Sequence, residues 1–539
     1  MEWVLTRLKF RKKELYVECK AASREALQKL QNEGKAFRLV LAYRSKLASQ
    51  KQFFYFSGNW SQGVFRGTLA YQDVKWKPIY YDLQIEDARN EQKEYEPIDV
   101  GKLRNLIRFP LYDGKHRWSN GMFCHPFITP ERTIAFQYRE RTKADTVCFR
   151  MQEAGILAWF FLTKPYWKKR SIYLVYEKFC MMAQDNGYYF FRYCMEHDAE
   201  KQLNGEIYYI IDPKAEDAKK VEKYKGHVIP FMSVRHKLYL LAAKMLISTD
   251  TRKHAYAWRK RMSFIDHYLR HKPLVFLQHG VTAFKRVDYI YGKGKFGDCR
   301  VFVATSDYEK KIIEENFGYA GDEIAVTGFA RWDVLEDCSE KIVPGSIEER
   351  MILVMPTWRN WLEEVDDETF VKSRYYQTYM KLLNDASLQE VLEKNQLHLC
   401  FYIHPKFREY MKEFACRQER IRMVPFGEEP LNELMMKCKM LVTDYSSVAW
   451  DVYYQKKPVV FFQFDLDAYL EAHGSYMDMD TELFGERETE CSGLIRRLEE
   501  YAQTGFTLKE TYARLHERYY KYTDRDNSKR IVEHIQKLS

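Results

Sequence analysis

From Ala154 onward, short apolar runs alternate with longer helical segments, and this alternation constrains the fold more than any other feature of the sequence. The runs form two series, one at 207–211, 244–248, 274–278, 301–305 and 323–327, and one at 351–355, 398–403, 421–424, 440–443 and 458–463. Strands separated by helices of this length are typical of parallel sheets with crossover helices. We therefore predict an α/β protein with two Rossmann-like domains that face a cleft.

The region before these series has a different pattern. Short alternating runs at 37–43 and 52–56 are separated by turn-forming residues, which indicates β-strands, and one helix is predicted near 23–33. We predict three domains: a β-rich accessory domain at 1–150, a first Rossmann-like domain at 151–340, and a second at 341–539. The second domain ends in helical, charged sequence at 508–538.

Composition limits the class of protein and its surroundings. The formal net charge of +10 favours an anionic partner: nucleic acid, an acidic lipid surface, a nucleotide or a polyphosphate polymer. The longest apolar runs, at 154–162 and 238–247, are too short to cross a bilayer, and the first residues lack a signal-peptide core. Eleven cysteines without CxxC pairs favour a reducing cytoplasm over a disulfide framework or a zinc site.

Two histidines come directly after predicted strands. His279 is followed by Gly280, which permits close approach, and His404 is followed by Pro405. A histidine on its own is more often structural than functional. Residues beyond the carboxyl ends of parallel strands are where ligands bind, however, so both histidines are candidates for a functional role.

Cations and hydroxyl groups follow other predicted strands. Arg331 either contacts phosphate or pairs with a neighbour such as Asp333, and Arg359 either aims its guanidinium into the cleft or lies in a solvated loop. The run Thr443-Asp444-Tyr445-Ser446-Ser447 opens where a helix is expected to begin. Its hydroxyls and free amides suit a diphosphate, although a single serine there would serve as an ordinary helix cap.

The ordered set of these motifs resembles the CDP-glycerol glycerophosphotransferase family, which includes the teichoic acid polymerases. The resemblance covers about residues 173–465 and does not include residues 1–150. The motifs that carry it are Tyr176-Glu177-Lys178, Asn186-Gly187, His279-Gly280, Thr327-Gly328 with Arg331 and Asp333, Pro356-Thr357-Trp358-Arg359, His404-Pro405 and Thr443-Asp444-Tyr445-Ser446-Ser447.

The resemblance implies a GT-B fold, a CDP-polyol donor bound mainly by the C-terminal half, and peripheral attachment to the cytoplasmic face of the membrane. It implies His279 as the general base and His404 as a second catalytic residue. It also implies a set of groups that hold the donor diphosphate: Arg331, Thr357, Arg359, His404, Thr443, Asp444, Ser446 and Ser447. Many members follow His-Gly with Thr-Pro-Leu-Lys, whereas this chain has Val281-Thr282-Ala283-Phe284-Lys285, which leaves the acceptor side of the site open.

The predicted reaction is attack by a hydroxyl of a lipid-linked polyol phosphate polymer on the β-phosphorus of CDP-glycerol or CDP-ribitol, with release of CMP. The sequence requires no metal or cofactor, because Asp465-Leu-Asp467 is predicted to lie in a loop after the last strand. Two alternatives remain, a nucleotide-sugar glycosyltransferase of the same fold and a non-enzymatic binder of anionic polymers. No nucleic-acid partner is expected. Membrane contact is predicted from the basic aromatic stretches 164–170 and 252–261.

Overall fold

A computed structural model describes the chain except residues 1, 34–35, 45–51, 79, 89–93, 102–115, 118–119, 130–131, 257–263, 344, 347, 364, 404–406, 408–409, 411, 415, 417, 426 and 539. The described residues form two compact units. One comprises Met1–Gln152, and the other comprises Glu153–Trp258 together with Phe264–Ser539.

The first unit is rich in antiparallel β-structure. Its strands are β1 (Trp3–Phe10), β2 (Glu14–Ala21), β3 (Phe37–Tyr43), β4 (Phe53–Tyr55), β5 (Ser57–Ser61), β6 (Val64–Ala70), β7 (Tyr80–Asp87), β8 (Glu94–Pro97), β9 (His116–Arg117), β10 (Met122–Ile128) and β11 (Ile134–Glu140), with helix α1 at Arg24–Glu33. One sheet has the order β1-β2-β6-β5, and the other has the order β4-β3-β7-β11-β10-β9 with β8 paired to β7. Residues such as Trp3, Leu39 and Phe136 alternate along the strands and fill one apolar core. The prediction of a β-rich N-terminal region is confirmed.

The second unit begins with helices α2 (Val147–Leu162, which starts in the first unit) and α3 (Lys164–Trp167). A parallel sheet follows, and we call it with its helices the first lobe. Its strands are β12 (Ile172–Tyr176), β13 (Glu206–Ile211), β14 (Val228–Pro230), β15 (Met245–Ser248), β16 (Leu274–Phe276), β17 (Val301–Ala304) and β18 (Ile324–Val326). Its helices are α4 (Asn186–Glu196), α5 (Ala199–Leu203), α6 (Val234–Ala242), α7 (Phe264–Leu269), α8 (Asp288–Tyr291) and α9 (Asp307–Phe317).

The second lobe repeats this arrangement. Its strands are β19 (Met351–Met355), β20 (His398–Tyr402), β21 (Ile421–Val424), β22 (Met440–Thr443), β23 (Val459–Phe462) and β24 (Glu486–Glu488). Its helices are α10 (Asp367–Val371), α11 (Arg374–Leu383), α12 (Ala386–Lys394), α13 (Leu431–Lys437), α14 (Val448–Tyr454), α15 (Leu466–His473) and α16 (Cys491–Gln503), and the chain continues into α17 (Glu510–Tyr519) and α18 (Asn527–Lys537).

The strand orders of the two lobes explain where a ligand can bind. The order is β14-β13-β12-β15-β16-β17-β18 in the first lobe and β21-β20-β19-β22-β23-β24 in the second. In each sheet the strand that comes first in the chain lies in the interior, and the strand order reverses beside it. In such doubly wound sheets the crevice for a ligand lies beyond the carboxyl ends of the strands on either side of that reversal. Every strand predicted for the lobes is present, and the sequence reading missed β12, β14 and β24.

Helix α18 returns from the second lobe to the first. It packs against α4 and α5, and the Asp333 carboxylate accepts hydrogen bonds of 2.8 Å from the backbone N–H groups of Asn527 and Ser528 at its start. The charged C-terminal segment therefore packs across the lobes, as its helical sequence suggested. Among the described residues, no helix is long and apolar enough to cross a membrane.

Candidate active site

His279 lies between two carboxylates of the first lobe. Its Nδ1 is 2.7 Å from Asp185 Oδ2, and its Nε2 is 3.1 Å from Asp250 Oδ2. The three residues follow β12, β15 and β16, which are neighbours in the sheet, so their loops meet at one edge. Although both ring nitrogens have partners, 44% of the His279 side chain is exposed, so it remains accessible to a ligand.

The surroundings of His279 hold its loop in place. Gln278 adopts a left-handed conformation (φ 60°) two residues after the end of β16, and this turns the following residue out of the strand direction. The Asn186 side-chain amide donates hydrogen bonds to the carbonyl oxygens of Leu277 (3.1 Å) and Gln278 (2.9 Å). The backbone immediately before the histidine is therefore fixed from the first turn of α4.

The two carboxylates control the protonation of His279. Burial on its own would lower the pKa of the imidazole, but the hydrogen bonds and charges of Asp185 and Asp250 outweigh that effect and raise the pKa to about 10. For Asp185 and Asp250, burial acts to raise the pKa, and the hydrogen bonds from His279 overcome it, so both pKa values are lowered. At neutral pH the group is an imidazolium between two carboxylates.

Arg331 connects this group to the second lobe. Its side chain is 11% exposed, and its guanidinium contacts Asp451 through Nε at 2.7 Å and Asp185 through Nη1 at 3.0 Å, while Nη1 also donates to the His279 carbonyl oxygen at 2.7 Å. From the sequence, Arg331 either contacts phosphate or pairs with a neighbour. In the structure it pairs with acidic neighbours. The partner is Asp451 on α14 rather than Asp333, whose carboxylate caps α18.

The loop of His279 also touches the serine motif of the second lobe. A Cβ added at Gly280 would lie 2.5 Å from the Ser447 Cβ and closer still to its Oγ. No other residue type fits at position 280 without moving one of the two loops. The sequence predicts that Gly280 permits close approach by a substrate. In the structure, Ser447 lies so close to Gly280 that a glycine is already needed at this position.

We therefore expect Gly280→Ala to lower the free energy of unfolding by about 1–3 kcal/mol, the usual cost of overpacking, measured by urea denaturation. Ser447→Gly should recover most of this loss in the double variant. Gly155→Ala is the matched control, because a Cβ at that helical position meets nothing within 4 Å. Equal effects of Gly280→Ala with and without Ser447→Gly would contradict the contact.

Ser446 and Ser447 are the accessible part of the second-lobe motif. Both are partly exposed just before α14, and Ser446 Oγ accepts a hydrogen bond of 3.3 Å from the Val448 N–H. Thr443 is turned inward, where its hydroxyl donates to the Met355 carbonyl oxygen at 2.6 Å. The two serines therefore remain partly accessible, while the threonine joins β22 to β19.

The predicted direction of Arg359 is corrected by the structure. Its side chain is fully buried and does not point into the cleft: its guanidinium lies 2.9 Å from Asp444 Oδ2 and 2.8 Å from Asp465 Oδ2. The physical reason is that two buried carboxylates on the adjacent strand ends need a cation. Asp465 lies in the turn between β23 and α15, which agrees with the predicted loop, and there it is part of a buried ion pair.

Two further predicted site residues are Thr357 and His404. The Thr357 N–H donates a hydrogen bond of 2.8 Å to Asp444 Oδ1, which ties the Pro356–Arg359 turn to the serine motif. His404 lies outside the described residues. Within the described ranges, no group of three or more His, Cys, Asp or Glu side chains is arranged to hold a metal ion.

Sequence reasoning missed Asp185, Asp250 and Asp451 as members of the site. Asp250 carries a usable signal, because it follows the predicted strand 244–248 after a single residue. Asp451 follows the serine motif by four residues, and no role was predicted for it. Asp185 lies nine residues beyond the end of β12, and no spacing rule identifies it.

Two facing Rossmann-type lobes with polar residues at the carboxyl ends of their strands define a GT-B-like fold. A sequence model of the family "CDP-Glycerol:Poly(glycerophosphate) glycerophosphotransferase" matches residues 158–537 of the chain. Because the match covers well over half of the sequence, the chain belongs to this family, and the resemblance seen in the motifs is confirmed.

Individual relatives point to the same family. The chain is 28% identical to the minor teichoic acid biosynthesis protein GgaB of Bacillus subtilis (strain 168), over 66% of this chain and 39% of that protein. It is 27% identical to a teichoic acid glycerol-phosphate transferase of Staphylococcus aureus, over 43% of this chain and 59% of that protein. The matched segments therefore span less than two thirds of these curated relatives.

A solved structure of the wall teichoic acid polymerase TagF is similar in fold. The TM-score is 0.52 at 17% identity, and the superposition covers 73% of this chain and 95% of that chain. The likeness confirms the predicted GT-B-like architecture.

Proposed function

We propose that this protein transfers glycerol phosphate or ribitol phosphate from a CDP-polyol donor to a hydroxyl of a lipid-linked, teichoic acid-type polymer and releases CMP. The observation that carries the proposal is the contact between the His279–Gly280 loop and Ser447. It brings an exposed imidazole with two carboxylate partners next to a serine motif suited to phosphate. A proton acceptor and a phosphate-binding loop in contact are what phosphoryl transfer to a hydroxyl requires.

In the proposed reaction, a hydroxyl oxygen of the polymer forms a bond to the β-phosphorus of the donor. The bond from that phosphorus to the bridging oxygen breaks, its electron pair leaves with CMP, and the hydroxyl proton passes to His279. Ser446 and Ser447, with the backbone amides before α14 and with His404 and Thr357, bind the diphosphate oxygens. Arg331 and Arg359, with Thr443 and Asp444, act in this proposal by positioning these loops rather than by touching the donor.

Asp185 and Asp250 set the direction and the protonation of the proposed base. Asp185 holds Nδ1 and is itself held by Arg331, so the ring keeps one orientation. Asp250 holds the proton on Nε2 in the resting site. Loss of that proton produces the neutral imidazole that accepts the proton of the acceptor hydroxyl.

Release of CMP by the purified protein tests the proposed function. CDP-glycerol and CDP-ribitol are supplied separately, each with a lipid-linked polyol phosphate acceptor. We expect turnover of one donor that depends on the acceptor. Failure of the folded protein to use either donor with several acceptors would reject the proposal in favour of the nucleotide-sugar alternative.

The pH dependence of transfer tests the role of Asp250. The Asp250 charge stabilises the imidazolium and raises the pKa of His279, so kcat/KM is expected to rise with pH as the imidazolium loses its proton. In Asp250→Asn the pKa falls, and the rising limb should move to lower pH by about one unit or more. Asp198→Asn, a change in an exposed ion pair with Lys201, is the control. An unshifted limb in Asp250→Asn would contradict proton transfer to His279.

We also propose peripheral contact with the cytoplasmic face of the membrane through α2 and α3. Trp159, Phe161 and Leu162 are 57%, 45% and 80% exposed although they are large and apolar, and the lysines of the basic stretch 164–170 follow at once. Exposed apolar side chains beside lysines favour the interface of an anionic bilayer.

Sedimentation with anionic vesicles tests this contact. The double variant Trp159→Ser/Leu162→Ser should bind at least about tenfold more weakly, because burying each side chain in the bilayer contributes roughly 1.5–3 kcal/mol. Val343→Ser, at an apolar position that is 72% exposed in the linker between the lobes, serves as the control. Unchanged pelleting of the double variant would contradict the assignment.

A further inference from the structure

The three loops that hold the candidate base carry a second set of residues farther out. These loops follow β12, β15 and β16, which are adjacent in the first sheet. Each contributes a lysine that is exposed or half-buried, and these are Lys178, Lys253 and Lys295; the loop after β16 also holds Lys285 and Lys293. The loops that carry the Asp185–His279–Asp250 group therefore also carry cations at this edge of the sheet.

Aromatic rings alternate with these cations. The Lys253 ammonium lies 4.2 Å from the ring centroid of Phe296, and that ring is 53% exposed. Phe179, next to Lys178 in the chain, stacks on the His254 ring with centroids 4.2 Å apart and planes at 11°. A large apolar ring that stays exposed beside a cation is typical of a binding surface rather than of a core.

A chain of contacts connects these residues to the candidate base. His254 Nδ1 is 3.3 Å from Asp250 Oδ2, and the same carboxylate oxygen contacts His279 Nε2. Burial lowers the pKa of His254, and the charge of Lys178 adds to this in the same direction. Phe179 is therefore connected to the exposed imidazole through two side chains, His254 and Asp250.

The backbone that presents Phe179 is unusual. Phe179 and Cys180 both have a φ of 55°, a conformation that residues other than glycine rarely adopt. The Phe179 N–H donates a hydrogen bond of 3.3 Å to His254 Nδ1, and the Cys180 carbonyl oxygen accepts one of 2.7 Å from the Asp212 N–H. Strained backbone that is held in this way is concentrated at functional sites.

We propose that these loops form an acceptor track, a surface that binds the phosphate groups of an anionic polymer next to His279. The track consists of Lys178, Phe179, Lys253, Lys295 and Phe296. Naming the polymer as the acceptor rests on the proposed function. The lysines neutralise successive phosphates of the polymer, and the two rings pack against the carbon chains between the phosphates.

The position of the track favours a polymer over a lipid surface. Its residues come from three loops at the carboxyl ends of strands, where a substrate must arrive in order to reach His279. Its apolar part consists of two rings, whereas α2 and α3 present a larger apolar set. Charge complementarity is also direct, since a polyol phosphate polymer carries one negative charge in each repeat and the track offers three lysines.

The test is binding of poly(glycerol phosphate) oligomers of defined length to the full chain without any CDP donor, at about 50 and 200 mM salt. The test variant is Lys253→Gln/Lys295→Gln, which removes both charges and keeps polar, unbranched side chains. The control variant is Lys201→Gln/Lys394→Gln, which removes the same charge from two exposed ion pairs on helices outside the track.

We expect the test variant to bind the oligomers about 5- to 30-fold more weakly at low salt and to depend less steeply on salt, because fewer counterions are released on binding. The control variant should bind as the wild type does. Phe296→Ala should raise KM for the polymer acceptor with little change in kcat, because Phe296 touches no reacting atom.

The outcomes separate this proposal from the proposed function. Weaker oligomer binding in the test variant of a protein that turns over neither CDP-polyol would support the track and reject the proposed function. Turnover of a CDP-polyol together with unaltered oligomer binding in the test variant would reject the track alone. If the test variant loses binding to anionic vesicles but binds the oligomers as the wild type does, the track is also rejected. These loops would then bind a lipid surface.

Discussion

Replacing His279 with alanine is expected to lower kcat for CMP release by about 10²- to 10⁴-fold, the usual contribution of a positioned general base. The KM for the donor should change little, because the proposed donor contacts lie in the second lobe. The effect should grow as pH rises, because the neutral imidazole that the variant lacks becomes more abundant in the wild type. The measurement is acceptor-dependent CMP release with whichever CDP-polyol the wild type uses.

His271→Ala is the matched control for this prediction. His271 is exposed and precedes β16, whereas His279 follows it, so the two histidines lie at opposite ends of one strand. A His279→Ala variant that folds and retains kcat within about threefold of the wild type would place the proton acceptor elsewhere, and Asp250 would then be the next group to test.

Replacing Arg359 with alanine should have the largest effect on stability. Its guanidinium is fully buried with the Asp444 and Asp465 carboxylates, and the variant would leave two buried charges without a cation. Breaking a buried ion pair in this way costs about 3–5 kcal/mol. We expect that decrease in the free energy of unfolding by urea denaturation, or a chain that fails to fold.

Arg514→Ala provides the comparison, because Arg514 pairs with Glu510 on the surface of α17 and both side chains are more than three quarters exposed. Its loss should cost less than about 1 kcal/mol. Suppose that Arg359→Ala and Arg514→Ala lower the free energy of unfolding equally, but Arg359→Ala binds the donor more weakly. Arg359 then contacts the donor directly, and the positioning role assigned to it is wrong.

The strands were predictable because buried parallel strands are nearly continuous apolar runs. The run 351–355 was predicted with the bounds it has in the structure. The run 274–278 was predicted two residues too long, since the chain leaves the strand direction after Phe276 and Gln278 is left-handed. Hydrophobic pattern therefore located the sheet edges, and with them the loops that carry His279 and the serine motif.

The hydrogen-bond and ion-pair partners of the candidate residues were harder to predict from the sequence than the strands were. Arg331 and Asp451 are separated by 120 residues, and His279 and Asp185 by 94 residues. Which carboxylates converge on a histidine depends on how loops of neighbouring strands pack, and spacing along the chain does not encode that packing. Arg359 shows the same limit, because its motif identified a cation at a strand end but not the buried carboxylates that turn it inward.

The return of α18 to the first lobe has a consequence for the order in which the protein folds. The Gln202 and Gln536 side chains are 334 residues apart and hydrogen-bonded at 3.4 Å, and the start of α18 is capped by Asp333 from the first lobe. The first lobe thus cannot cover the surface formed by α4 and α5 until the whole second lobe has been synthesised. Contacts of such long sequence separation form slowly, so a half-made chain must keep that surface exposed while the rest of the protein is completed.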